Sequence, residues 1–258
     1  MRLSHAAVFV ALLLLAACQD PLAPSNVAHR CTVERTEVLP VTLVRGFLLV
    51  PGALNGNRVM LIVDTGSEAT MVTPQAAMAF GLDRDHFNHT TIHGIGGQIT
   101  TANARVTSFA IGKQEMLDRG VAVGPLPNIP ATEPPIAGLL GADYLSDYDL
   151  DLDAPRHMLT LYSMDGCGDN FAPPWHQARS IVPIRREHKD LLTLDVLVDG
   201  ERVNAMFDSG ARVTTISAAA AGRRASMKRR WRMTTRSRRA ASIGTPCPGM
   251  CIGSMRSG

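Results

Sequence analysis

Aromatic side chains make up only 5% of this sequence, and beyond its first two dozen residues no apolar run approaches the length that spans a bilayer. A multispan helical membrane protein is therefore excluded. With 45% hydrophobic and 19% charged residues, a disordered polar chain is excluded as well. No C-x2-C, H-E-x-x-H, G-x-G-x-x-G or P-loop pattern occurs, so no metal, cofactor or nucleotide site is expected. His86, His89 and His93 cluster in the polar stretch HFNHTTIH, which reads as a solvated connection rather than a ligand set. Acidic residues are absent after Asp208, whereas eleven of the 26 Lys and Arg lie from Arg212 onward. Residues 1–208 carry a formal −8, so the chain's overall +3 reflects a basic tail on an acidic body and does not indicate a nucleic-acid partner. The 258 residues leave room for one large domain or two small lobes.

The N-terminus reads as an address. Arg2 is followed by an apolar run over residues 6–17, too short to cross a bilayer comfortably. Leu15-Ala16-Ala17-Cys18 resembles the bacterial lipobox, which predicts a signal peptide over 1–17, a lipid on Cys18 and a tether over 18–30. Gln19 follows Cys18 in place of the aspartate that favours inner-membrane retention, so the expected location is the cell envelope, at the periplasmic side of the outer membrane. Export to the periplasm permits disulfides. Cys31 and Cys167 bracket the first lobe and are candidates for a bridge between its entry and its exit, with unpaired thiols as the alternative.

Short apolar runs punctuated by Gly, Pro, Asn and Asp predict an all-β chain. Strands are expected over 46–50, 59–63, 98–111 and 157–162, and in the alternation of leucine with aspartate over 149–153. That alternation fits a half-exposed strand better than a calcium site. Short helices are expected over 74–80, ended by Gly81, and over 142–145. Prolines over 125–135 mark an irregular loop, and 166–180 reads as a linker.

An internal repeat is the most informative feature. Residues 47–73 align without a gap on 191–217 at an offset of 144, with seven identities: Leu48, Gly56, Arg58, Val59, Asp64, Gly66 and Thr70 against Leu192, Gly200, Arg202, Val203, Asp208, Gly210 and Thr214. Asn55-Gly56 and Asp199-Gly200 are both two-residue hairpin signals. Each following strand runs into Asp-hydroxyl-Gly: Asp64-Thr65-Gly66 in one copy and Asp208-Ser209-Gly210 in the other. If the turns face each other, their glycines permit close backbone approach and the hydroxyls of Thr65 and Ser209 can bond across. Two carboxylates meeting at one water cannot both ionise, so the pair holds one proton. Such a pair is equipped to hydrolyse amides by general acid and base catalysis.

These motifs resemble the retropepsin-like and pepsin-like aspartic proteases, and more narrowly their bacterial lipoprotein members with two tandem lobes. Two further stretches in the family's order extend the likeness. His93-Gly94-Ile95-Gly96-Gly97 resembles the flap hairpin, and Leu139-Leu140-Gly141, within the stretch 136–141, resembles the apolar-Gly segment beside the catalytic turn. The resemblance implies an acid-protease β-barrel fold with a complete first lobe over 31–165 and a partial second lobe over 181–220. It implies Asp64 and Asp208 as catalytic residues, Thr65, Gly66, Ser209 and Gly210 as turn braces, and Gly94, Ile95, Gly96 and Gly97 as a flap over an extended peptide or protein substrate. Activity would favour acidic pH.

After Ala220 the likeness stops, and residues 221–258 form an Arg-rich tail without acids or strand alternation. The tail reads as a lipid contact or as a frameshift product, since a neighbouring frame can encode acidic, helix-like and then flap-like sequence. Three functional arrangements follow: a two-lobed monomeric endopeptidase, a homodimer using Asp64 from each chain, and a non-catalytic envelope lipoprotein that binds peptides in the same cleft.

Overall fold

The computed structural model describes residues 31–94, 97–126, 128–167, 180–222 and 250–251. All of them fall within one compact unit, Cys31–Gly258. The chain enters through β1 (Thr32–Pro40) and β2 (Thr42–Val44), then forms the hairpin β3 (Phe47–Leu54) and β4 (Asn57–Val63). Asn55 and Gly56 between them both have positive φ, at 48° and 78°, as a two-residue hairpin turn that matches strand twist requires. β5 (Met71–Val72), α1 (Pro74–Ala79), β6 (Asp83–Gly94), β7 (Gly97–Ile111), β8 (Gln114–Val123), β9 (Ile136–Leu140) and α2 (Ala142–Leu145) follow. β10 (Asp149–Asp153) and β11 (Met158–Asp165) complete this first part.

Six of these strands close into a barrel in the order β3-β4-β9-β5-β8-β7, and Gly52–Leu54 of β3 pair back onto β7. Closure removes the open edges that would otherwise pair with other chains. Val50, Leu54, Val59, Leu61, Val63, Val72, Phe109, Ile111 and Leu140 fill the interior. Leu49, Ile62, Met71 and Leu139 pack in a second cluster. β4 contributes Leu61 and Val63 to the first cluster and Ile62 to the second. It is therefore buried on both faces, which is why its sequence reads as a continuous apolar run rather than an alternation. β1, β11 and β10 form a separate sheet, and a disulfide between Cys31 and Cys167 ties the start of β1 to the residue two positions beyond β11.

The stretch read as a solvated connection is a strand. β6 pairs with β7 from Asp83↔Arg105 to Gly94↔Gly97, with an irregularity between Asp85 and His89. There Asp85 accepts hydrogen bonds from the backbone N–H groups of Phe87 and Asn88. His86, His89 and His93 are exposed. Polarity misled the reading: the β-branched run Thr90-Thr91-Ile92 favours a strand, and an antiparallel strand can leave one face to solvent while Ile92 packs on the second cluster.

The second part repeats the first on a smaller scale. β12 (Ile184–Arg186), β13 (Leu192–Val198) and β14 (Glu201–Met206) form a three-stranded sheet. Asp199 and Gly200 take φ of 52° and 82°, the same turn as their counterparts in the first hairpin. The repeat continues into a helix cap: Thr73 accepts the amide of Ala76 at the start of α1, and Ser217 accepts that of Ala220 at the start of α3 (Ala218–Gly222). Burial does not repeat. β14 ends its sheet, and among the described residues nothing pairs with its outer edge. In the first copy the corresponding edge of β4 takes β9 in parallel. Within the Arg-rich tail, Met250–Cys251 form a short strand, β15, against β10.

Candidate active site

β4 delivers Asp64 at its end, and the Asp64 amide donates to the carbonyl of Leu140 at 3.0 Å, continuing the pairing with β9 by one residue. The chain then turns, with the Gly66 amide donating to Asp64 Oδ1 at 3.0 Å. After β14, Asp208 turns in the same manner: its Oδ1 accepts the amides of Gly210 and Ala211, each at 2.9 Å.

The two turns interlock reciprocally. The Thr65 amide donates to Ser209 Oγ at 3.0 Å, and the Ser209 amide donates to Thr65 Oγ1 at 3.1 Å. Thr65 Oγ1 donates onward to the carbonyl of Phe207, and Ser209 Oγ to that of Val63, both at 2.8 Å. Each hydroxyl thus accepts once and donates once, which fixes its orientation. The glycines explain the close approach. A Cβ on Gly66 would lie 2.4 Å from Asp208 Cγ, and one on Gly210 would lie 2.3 Å from Asp64 Cγ. Each carboxyl therefore occupies the space left by the missing side chain of the opposite turn.

The carboxyls are not equivalent. Asp64 is half-buried and Asp208 is exposed: β9 flanks the first turn, and among the described residues no corresponding strand flanks the second. Burial, then the negative charge of Asp208 and a hydrogen bond with it, push Asp64 up to about 6, partly opposed by the amides of Gly66 and Ser67. Two further contacts join the copies. Lys189 pairs with Glu68. At the position matched to Glu68, the Arg212 guanidinium lies 5.2 Å from the centroid of the Phe47 ring.

Residues 50–144 match the model of a family described as aspartyl protease. The match falls within the first part of the chain, from β3 into α2. Among solved structures the chain is similar to a retropepsin-like aspartic protease from Rickettsia conorii, at 20% identity and a TM-score of 0.36, over 53% of this chain and 96% of that one. No curated protein matches it.

In this part of the chain, Leu139 and Leu140 belong to β9, beside the Asp64 turn. A Cβ on Gly141 would stand 2.4 Å from the Ala69 carbonyl carbon, so this glycine lets the two segments touch. Gly138 has the same duty with less room, since its Cβ would meet the Met71 carbonyl oxygen at 2.0 Å. It lay inside the quoted apolar-Gly stretch without being marked. Of the flap candidates, Gly94 and Gly97 pair across the tip of the β6–β7 hairpin, while Ile95 and Gly96 lie outside the described residues. Cys18, the signal segment and the tether lie outside them as well, as do residues 168–179 of the linker and all but 221–222 and 250–251 of the tail. Among the described residues no three His, Cys, Asp or Glu side chains converge as a metal site would require.

Missed altogether was Asp143. Its Oδ1 accepts the amide and the hydroxyl of Thr70, at 2.7 and 2.6 Å. Its place two residues after Gly141 was the only available signal, and the partner lies 73 residues away.

Proposed function

We propose that this protein is an aspartic endopeptidase in which Asp64 and Asp208 share one proton and activate a water. The observation that carries the reading is the reciprocal fit of each carboxyl into the space above the opposite glycine, held by the exchange between Thr65 and Ser209. Burial makes Asp64 the seat of the shared proton, and the more exposed Asp208 is assigned the role of base. Asp208 takes a proton from the water as its oxygen attacks the peptide carbonyl, and Asp64 gives its proton to the carbonyl oxygen. The resulting gem-diol collapses when the nitrogen gains a proton from Asp208, one hydroxyl returns its proton to Asp64, and amine and acid leave. The substrate lies as an extended strand, with the β6–β7 hairpin as its cover.

Activity requires the singly protonated pair and declines as pH rises past about 6, where Asp64 ionises. The test is cleavage of a peptide library at pH 4–5. Asp64→Asn should abolish turnover, and a transition-state-mimicking aspartic protease inhibitor should block the wild type. Binding of peptides without turnover would establish the non-catalytic reading instead. Envelope attachment through Cys18 belongs to the same proposal, and the Cys31–Cys167 disulfide supports it because such bonds persist in oxidising compartments.

One observation favours a second arrangement. Lys189, the partner of Glu68, lies 144 residues after Arg45, and the two share a positive φ of 55° and 50°. A second copy of the first lobe would therefore bring Arg45 to Glu68 in the same way, with Asp64 contributed by each chain. Asp208→Asn separates the two arrangements: it abolishes cleavage in the one-chain site and spares it in the homodimer.

A further inference from the structure

We infer that Asp143 positions the Asp64 turn, acting through Thr70 as the carboxylate anchor at the end of the segment that carries the proposed catalytic carboxyl. This rests on the endopeptidase reading only for its effect on turnover. Between β4 and β5 the chain forms neither strand nor helix over residues 64–70, so its backbone groups need partners outside a ladder. At the start of the segment, the Asp64 amide bonds to the Leu140 carbonyl. In the middle, the Ser67 carbonyl accepts the amide of Ala142 at 2.8 Å. At the end, Thr70 gives both its amide and its hydroxyl proton to Asp143 Oδ1, and its hydroxyl oxygen accepts the Gly141 amide at 3.1 Å.

Asp143 therefore decides which way the Thr70 hydroxyl points, and through it the Gly141 amide is satisfied. There is no slack there, because a Cβ on Gly141 would lie only 2.4 Å from the Ala69 carbonyl carbon. Hydrogen bonds to a carboxylate are about twice as strong as neutral ones. The second copy supplies the contrast. Thr214, matched to Thr70, is exposed, and no Asp or Glu follows Asp208 in the chain to serve it. Among the described residues only the Asp64 turn has such a carboxylate behind it. The Asp208 turn inherits its place through Ser209 and Thr65. Asp143 is a positioning residue: its bonds go to Thr70 rather than to reacting atoms.

The experiment compares Asp143→Ala with Asp143→Asn in the full chain. Asparagine keeps the Oδ1 acceptor for both Thr70 bonds; alanine removes it. Three quantities are read: kcat and KM on a peptide that the wild type cleaves, the 13C-detected titration of the Asp64 carboxyl, and the melting temperature. Asp143→Ala should lower kcat at least tenfold with KM within twofold, and should move the Asp64 midpoint toward its ordinary value as the turn opens to water. Asp143→Asn should stay within threefold of wild type in kcat with the midpoint unmoved. If Asp143→Ala does not fold, Thr70→Val, which deletes the hydroxyl relay and keeps the amide bond, should change kcat and midpoint in the same directions by a smaller factor. An unmoved Asp64 midpoint in the folded Asp143→Ala or Thr70→Val variant overturns the inference, as does an Asp143→Asn variant as impaired as Asp143→Ala. If the wild type cleaves no peptide, the endopeptidase reading fails by itself and the Asp64 titration still decides the role of Asp143.

Discussion

Gly66 and Gly210 do at the residue scale what no other residue type could do at these positions. The atoms a side chain would meet are the Cγ atoms of the opposing aspartates, at 2.4 and 2.3 Å. The same contact sets the charge state of the site, because bringing Asp208 to a half-buried Asp64 favours the proton on Asp64. Folded Asp64 keeps its proton up to about pH 6, and its ordinary value is 3.8. The folded state therefore binds the extra proton between those values. The stability this group contributes is fully present below pH 3.8 and is lost as pH rises through about 6. Asp64→Asn removes the titration, so thermal melts of that variant should lack this loss. At pH 7 it should be more stable than wild type by on the order of 3 kcal/mol, since each pKa unit between 3.8 and about 6 corresponds to about 1.4 kcal/mol. A variant that loses stability with pH as the wild type does would show that Asp64 is not the group that holds the proton.

At the scale of elements, the two hairpins are related by sequence and divided by environment. β3 and β4 have neighbours on both sides within the closed barrel, whereas among the described residues β13 lies between β12 and β14, and β14 pairs with β13 alone. Leu197 and Met206 are exposed at 72% and 49%, while Val59 and Leu61 of β4 are buried at 1% and 0%. Apolar burial contributes about 25 cal/mol per Å2, so the second hairpin has far less holding it to the rest of the molecule. Amide hydrogen exchange should show this directly. Amides of Val59–Val63 should exchange only with global unfolding, and those of Val203–Met206 orders of magnitude faster through local opening. Equal protection in the two hairpins would mean that the second sheet is covered by something beyond its described neighbours.

For the whole molecule, closure is the organising fact. The barrel closes by pairing β3 with β7, and the disulfide closes a loop of 136 residues around it. A crosslink of that span restricts the unfolded chain strongly. Reducing it, or replacing Cys31 and Cys167 by serine, should lower stability by about 2–5 kcal/mol without altering the Asp64–Asp208 contact. Chemical denaturation of the oxidised and reduced protein measures the first part, and the titration of Asp64 the second. The outer edge of β14, which no described strand covers, has the opposite character. Unpaired edges of this kind recruit other chains, which makes the second sheet the place where self-association would begin.

Local chemistry was legible without coordinates wherever it was repeated. The turns at Asn55-Gly56 and Asp199-Gly200, the two Asp-hydroxyl-Gly motifs and the short helices over 74–79 and 142–145 each follow from residues adjacent in the chain, whose conformational preferences act over a few bonds. The strand β6 was not legible, since polar residues on an exposed hairpin carry no periodicity to read. Nor was the bond from Thr70 to Asp143, because pairing across 73 residues depends on β9 lying between the β4 and β5 strands. The amino-acid order by itself determined which two carboxyls are delivered on matched turns. Only the tertiary structure decided that they differ, because burial is a property of what packs alongside: β9 stands next to the first turn, and no strand among the described residues stands next to the second.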